Sequence, residues 1–158
     1  MRQRSLPRLP VSGRVSRIVG SLRRWATTGP GIIAGLDDPG RPSAMPGVTI
    51  LRRAVPYPLL GVIAPWNFPL LLSLVDAIPA LMAGAAALVK PSEVTPRFVP
   101  ALRATLAGLP ELGSVVSLVT GDAVTGKAIV ECVDYVCFTG SVATGRKVAE
   151  AAARAFVP

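Results

Sequence analysis

The chain has 158 residues, 51% apolar and only 16% charged, which excludes a disordered polypeptide and fits one domain with a packed core better than two. It has no histidine and two cysteines, Cys132 and Cys137. A Ser-His-Asp triad, a Cys-His pair, a His-ligated metal and a disulfide framework are therefore excluded, and no metal is expected. The net charge of +8 sits in residues 1–56, with ten Arg against two Asp, while residues 57–158 balance seven basic against seven acidic groups. The basic segment holds a single aromatic, Trp25. The mixed cationic and aromatic surface that binds nucleic acid is missing, and no nucleic-acid partner is expected. Nothing in the cysteine usage calls for an oxidising compartment, and the expected location is cytoplasmic.

Residues 1–14 carry two Pro, no acid and no periodicity, and read as a disordered tail; the basic extension as a whole covers 1–20. From Val15 a helical spacing sets in, with Val15, Ile18, Val19, Leu22 and Trp25 on one face and Arg17, Arg23 and Arg24 elsewhere. An Arg-rich amphipathic pattern also describes a transit peptide or a membrane-surface helix; a solvated helix packed on the rest of the chain is the plainer reading. Gly29-Pro30-Gly31, Asp38-Pro39-Gly40 and Pro46-Gly47 predict loop over 29–47. Residues 21–56 thus form a helix and strand lead-in.

From Val48 the pattern alternates strand and helix. Val48–Leu51 and Leu60–Ala64 read as strands. Asn67–Met82 reads as a helix opened by Pro69 and stopped by Gly84, with Pro79 kinking it or displacing its start. Ala86–Val89 is the next strand, then a helix at Pro96–Ala107 capped by Thr95. Val115–Val119 is a strand, followed by a helix to Glu131, a strand at Tyr135–Phe138 and a helix at Ser141–Phe156. Short apolar strands alternating with longer helices predict an α/β fold, a parallel sheet covered on both faces, over 57–158. Residues 58–89 are apolar enough to raise a membrane span. Asp76 lies in their middle, with Pro65, Pro69 and Pro79 around it, and a central Asp costs about 2.5–3.5 kcal/mol in a bilayer. No membrane span is expected.

Ligands of open parallel sheets bind outside the carboxyl ends of the strands. The residues there are Pro65-Trp66-Asn67-Phe68-Pro69, Lys90-Pro91-Ser92-Glu93, Gly121-Asp122 and Thr139-Gly140-Ser141 leading to Thr144-Gly145. Gly140-Ser141 opens a helix, whose free N–H groups favour a phosphate. Lys90 and Glu93 suit ribose hydroxyls, or form a surface ion pair. Asn67 is either a helix N-cap or an oxyanion donor.

These segments, with Thr95-Pro96 and Gly108-Leu109-Pro110, resemble the aldehyde dehydrogenase superfamily in order and spacing. The match is dense from about Leu60 to Pro158 and looser from Leu22. The resemblance implies a doubly wound, Rossmann-like NAD-binding fold and NAD-dependent oxidation of an aldehyde to a carboxylic acid through a cysteine thioester. It implies that Asn67 is the oxyanion donor and that Lys90 and Glu93 hold the adenine ribose. Gly140, Ser141 and Thr144 fall at the pyrophosphate site. Ala64, Pro65, Trp66, Ser92 and Gly121 fall along the cofactor crevice. Ala123 departs from a second glycine common in that family. Glu93 implies a preference for NAD over NADP, because a carboxylate repels a 2′-phosphate.

The same resemblance places the general-base glutamate, in a Glu-Leu-Gly-Gly-Lys motif, and the nucleophilic cysteine beyond Pro158. A large N-terminal portion is missing from the match as well. Neither Cys132 nor Cys137 fits the nucleophile's motif. The expectation is a fragment, inactive alone, with an oligomer or a complementing chain as its partner. The alternative is a non-catalytic nucleotide-binding or interaction module on the same fold.

Overall fold

The computed structural model describes residues 11–158. The chain forms helix α1 (Val11–Ala34), an antiparallel ribbon of β1 (Asp38–Pro42) and β2 (Thr49–Arg52), and a four-stranded parallel sheet. The sheet strands are β3 (Leu59–Ile63), β4 (Ala86–Lys90), β5 (Val116–Leu118) and β6 (Tyr135–Phe138), in the spatial order β5-β4-β3-β6. The chain steps outward from β3 through β4 to β5, then crosses back and lays β6 on the other side of β3. That reversal opens a crevice at the carboxyl ends of the strands, where such sheets bind ligands.

Alternation along the strands assigns each side chain to a face. Leu60, Val62, Ala87, Val89 and Leu118 meet Ala77 of helix α3 (Ala77–Ala83) and Val99 of helix α4 (Val99–Ala107) on one side. Ile63, Val136 and Phe138 meet Val130 of α6 (Ala123–Cys132) and Val148 and Ala152 of α7 (Val142–Ala155) on the other. Val62, Val89, Val99 and Val130 are fully buried, each stabilising the fold by about 1.5–3 kcal/mol over exposure. Gly61 lies under α6: a methyl there would sit 2.8 Å from Ile129 Cγ2 and 3.1 Å from both Val133 methyls. The missing side chain lets helix and strand approach.

Both sheet edges are partly closed. At β5, Arg103 Nη2 donates to the Leu118 carbonyl at 2.6 Å; at β6, Val136 N donates to the Pro158 carbonyl at 2.9 Å. Residues 58–89 fold as β3, a short α2 (Pro69–Leu74), α3 and β4, and no helix among the described residues is long and apolar enough to cross a membrane.

Several local expectations need correcting. The tail gives way to helix at Val11; its part within residues 1–10 lies outside the described residues. Of the expected apolar stripe, Ile18 is buried and Trp25 half-buried, while Val15, Val19 and Leu22 stay exposed. Helix α1 runs straight through Gly29-Pro30-Gly31, which read as loop. Gly29 is buried against α3, where a methyl would lie 2.6 Å from Met82 Cε, so close helix packing overrides a poor local propensity. Asp38-Pro39-Gly40, expected as a turn, belongs to β1. A register irregularity between Asp38 and Arg41 absorbs Pro39 and Gly40, whose φ is 126°.

The helix expected over Asn67–Met82 is two helices, α2 and α3, parted at Val75-Asp76. The restart puts Pro79 in the first turn of α3, where its missing N–H costs no hydrogen bond. The helix expected from Pro96 begins as a 3₁₀ turn (Pro96–Phe98), and Thr95 does not cap it. A four-residue helix α5 (Pro110–Gly113) lies where the sequence pattern predicts no element.

Candidate functional site

One cleft of about 1220 Å³ lies along the carboxyl ends of the strands. Its walls are the segments after β3 and β4 and the facing sides of α6 and α7. Ten residues named from the sequence line it: Ala64, Pro65, Trp66, Asn67, Lys90, Ser92, Glu93, Gly140, Ser141 and Thr144. They come from three different strand ends and meet only because β3, β4 and β6 run parallel.

Lys90 ends β4 and is 4% exposed. A methyl on Gly126 of α6 would reach only 3.9 Å from Lys90 Cδ, so the lysine stem runs beneath that helix. Its ammonium donates to Glu93 Oε2 at 3.1 Å and to the Pro91 carbonyl at 3.4 Å. Apolar packing of the stem with a charged tip at the cleft is the usual way lysine is buried. The Glu93 carboxyl is held below the usual range, first by its own backbone N–H and then by Lys90. Glu93 is therefore a carboxylate at neutral pH.

After β3 the chain passes Trp66 and Asn67, both exposed, and turns at Phe68, whose φ of 62° and ψ of 52° are left-handed. A bulky residue in that region costs about 1–3 kcal/mol and marks a constrained turn. Phe68 is the residue that precedes α2, and α2 has no side-chain cap. The N-cap reading of Asn67 is thus excluded, which leaves its amide at the cleft. Thr95 Oγ1 donates to the Trp66 carbonyl at 3.2 Å and ties this turn to the segment after β4.

Ser141 caps α7: its Oγ accepts from Thr144 N at 3.2 Å and donates to Thr144 Oγ1 at 2.9 Å. Val142 and Ala143 open α7, in the first turn, where backbone N–H groups have no intrahelical acceptor. Gly121 does not line the cleft. It has a φ of 155°, and a methyl there would collide with Thr125 Oγ1, so its glycine serves the entry into α6. Asp122 follows and caps α6 through Val124 N at 2.9 Å.

The cleft's outer wall comes from helix faces and not from the segments directly after strands. Gly126, Lys127 and Val130 of α6 face Lys147, Val148, Ala151 and Arg154 of α7 across it. The three- and four-residue spacing of Thr144, Lys147, Val148 and Ala151 is the signal that could have found them. Neither cysteine lines the cleft. Cys132 is exposed at the end of α6, and Cys137 lies on the sheet face that carries α3, its thiol pushed up by burial and then by Asp76. Among the described residues no group of three or more Cys, Asp and Glu is placed to hold a metal ion.

Several known proteins resemble this chain. A geranial dehydrogenase of Castellaniella defragrans is 41% identical over 145 residues, covering 89% of this chain and 29% of its own length. A Mycolicibacterium smegmatis protein named as a succinate-semialdehyde dehydrogenase [NADP(+)] is 46% identical over 118 residues, covering 72% of this chain and 22% of its own. The structure of PutA from Anabaena variabilis, described as an aldehyde dehydrogenase, superposes with a TM-score of 0.86 at 48% identity, covering 92% of this chain and 30% of that one. The chain thus spans less than a third of the length of each. The sequence model of the aldehyde dehydrogenase family matches residues 7–158, so the parallel sheet and its cleft are a Rossmann-like unit and the chain belongs to that family.

Proposed function

We propose that the cleft is the cofactor site of an NAD-dependent aldehyde dehydrogenase, and that this chain supplies the dinucleotide-binding part of the reaction. Family members use a pyridine nucleotide as hydride acceptor. The observation that carries the reading is the meeting of Lys90, Glu93, Ser141 and Asn67, from three separate strand ends, around one cleft. Lys90 and Glu93 hold the adenine ribose, a donor and an acceptor for its two hydroxyls. The free N–H groups at the start of α7 meet the pyrophosphate, where helix dipole and unpaired donors favour an anion. Ala64, Pro65, Trp66 and Ser92 form the walls. Asn67 is the neutral donor that steadies the oxyanion of the attacked aldehyde.

NAD is preferred over NADP. The Glu93 carboxylate is ionised and exposed toward the cleft, and it repels a 2′-phosphate. The NADP(+) in the name of the M. smegmatis relative makes this a point to measure. Titration of the chain with NAD and with NADP, followed through the exposed Trp66, tests the assignment. Saturable quenching by NAD with a weaker response to NADP supports it; a folded chain that ignores millimolar NAD defeats it.

A second reading, a nucleotide-binding module without catalysis of its own, is favoured by one observation. No thiol faces the cleft, and the Cys137 thiol is the reverse of activated. The two readings share the cofactor site and differ in turnover.

A further inference from the structure

Gly140 has a contact that the cofactor reading leaves unused. A methyl on Gly140 would collide with Phe138 Cζ and lie 3.1 and 3.2 Å from Cε2 and Cε1 of that ring. A methyl on Gly145, one turn into α7, would lie 3.2 Å from the same Cε1. The Phe138 ring is therefore clasped between two glycines, one before α7 and one inside its first turns. It also packs with the cluster of Ile63, Val130 and Ala152 beneath the helix. The φ of Gly140 is not positive. The obstacle to a side chain at Gly140 is the Phe138 ring.

We infer that Phe138 is a positioning residue. Its ring, seated against Gly140 and Gly145, sets the height of the first turn of α7 over the sheet, and with it the place of the Val142 and Ala143 N–H groups. This rests on the reading of the cleft as a dinucleotide site. It goes beyond that reading by giving the glycine to the protein's own ring and not to close approach of a phosphate. The half-buried ring packs on Ile63, Val130 and Ala152 and also lines the cleft, so it lies between the core and the ligand-side turn. Moving the turn by a methyl's width misaligns hydrogen bonds that fall off steeply with distance and angle.

The test is a double-mutant cycle on the 158-residue chain with Gly140→Ala, Phe138→Leu and both together, measuring Kd for NAD and for adenosine by calorimetry. Adenosine carries the ribose and base but no phosphate. The expected result is about a tenfold loss of NAD affinity in Gly140→Ala, with adenosine within about twofold of wild type. The loss should be largely recovered in the double variant. An equal cost of Gly140→Ala in both backgrounds assigns the glycine to the ligand and overturns the inference. So does a parallel loss of NAD and adenosine, which marks a merely structural role. Where wild type binds neither ligand, the cofactor reading fails on its own. The ring contact is then read from the melting temperatures, and additive shifts overturn it. If Gly140→Ala does not fold, a double variant that melts cooperatively supports the inference, and one no better folded overturns it.

Discussion

Lys90 and Glu93 form a lopsided pair: their charged atoms are 3.1 Å apart, yet the lysine side chain is 5% exposed and the glutamate 58%. The buried member needs its partner, because an unpaired ammonium under a helix is costly. The exposed member is free to meet a ligand. The pair is therefore both a structural bond and a reachable donor–acceptor couple.

Replacing Lys90 by Met keeps the apolar stem and removes the donor. NAD affinity should fall by about 1–3 kcal/mol, the cost of an unmade buried hydrogen bond. Glu93→Gln should narrow the gap between NAD and NADP. The pH dependence has a definite sign. The Glu93 carboxyl lies below its ordinary range, so discrimination against NADP should hold at neutral pH and fade as pH falls through that lowered value. The stability that Glu93 contributes is likewise complete above the unfolded pKa and lost on the same acid side. It is small, because the group is exposed. NAD and NADP titrations across an acid series decide it; a constant NAD/NADP ratio would count against the role of Glu93.

Aldehyde turnover by this chain should be undetectable. Neither thiol lines the cleft, and burial raises that of Cys137. With NAD and a panel of aldehydes, NADH absorbance should not rise, and Cys132→Ala and Cys137→Ala should change nothing. NADH formation abolished by either substitution would place the nucleophile here after all.

Asp76 is held against its preference. It sits between α2 and α3, makes no cap hydrogen bond to α3, and burial raises its pKa. A raised carboxyl disfavours the native state as pH climbs through the raised value, and has no such effect below the ordinary one. Asp76→Asn should therefore stabilise the fold at pH 7 and not in acid, by a small amount because the half-buried group is partly screened by solvent. The thiol of Cys137, which feels Asp76, should titrate lower in that variant while still raised by burial. Thermal melts at two pH values and thiol titration test both; equal stabilisation at both pH values would argue against a charge effect.

Gly61 and Gly20 make a matched contrast. Gly61→Ala drives a methyl to 2.8 Å from Ile129 Cγ2 and should cost about 1–3 kcal/mol. Gly20→Ala meets nothing within 4 Å inside α1 and should stabilise by about 0.5–1 kcal/mol. At this size each kcal/mol moves the melting temperature by about 2–4 °C. Two shifts of the same sign would mean that helix α6 yields, or that α1 does not hold its helix.

What the sequence determined by itself is the alternation of strand and helix and the chemistry at the strand ends. Leu60, Val62, Ala87 and Val89 read as buried strand because a parallel sheet covered on both faces allows little else. The segments after β3, β4 and β6 were legible because ligands of such sheets gather there and the motifs stand in register. Tertiary packing decided the rest. Helix α1 continues through Gly29-Pro30-Gly31 because Gly29 lets it settle on Met82, a contact 53 positions away that no local window contains. Pro79 belongs to a helix start only once the chain breaks at Asp76. Gly121 and Gly140 look alike in the sequence, each after a strand and before a helix. One serves a left-handed turn against Thr125 and the other the Phe138 ring, because a glycine's reason lies in what occupies the space where its side chain would be.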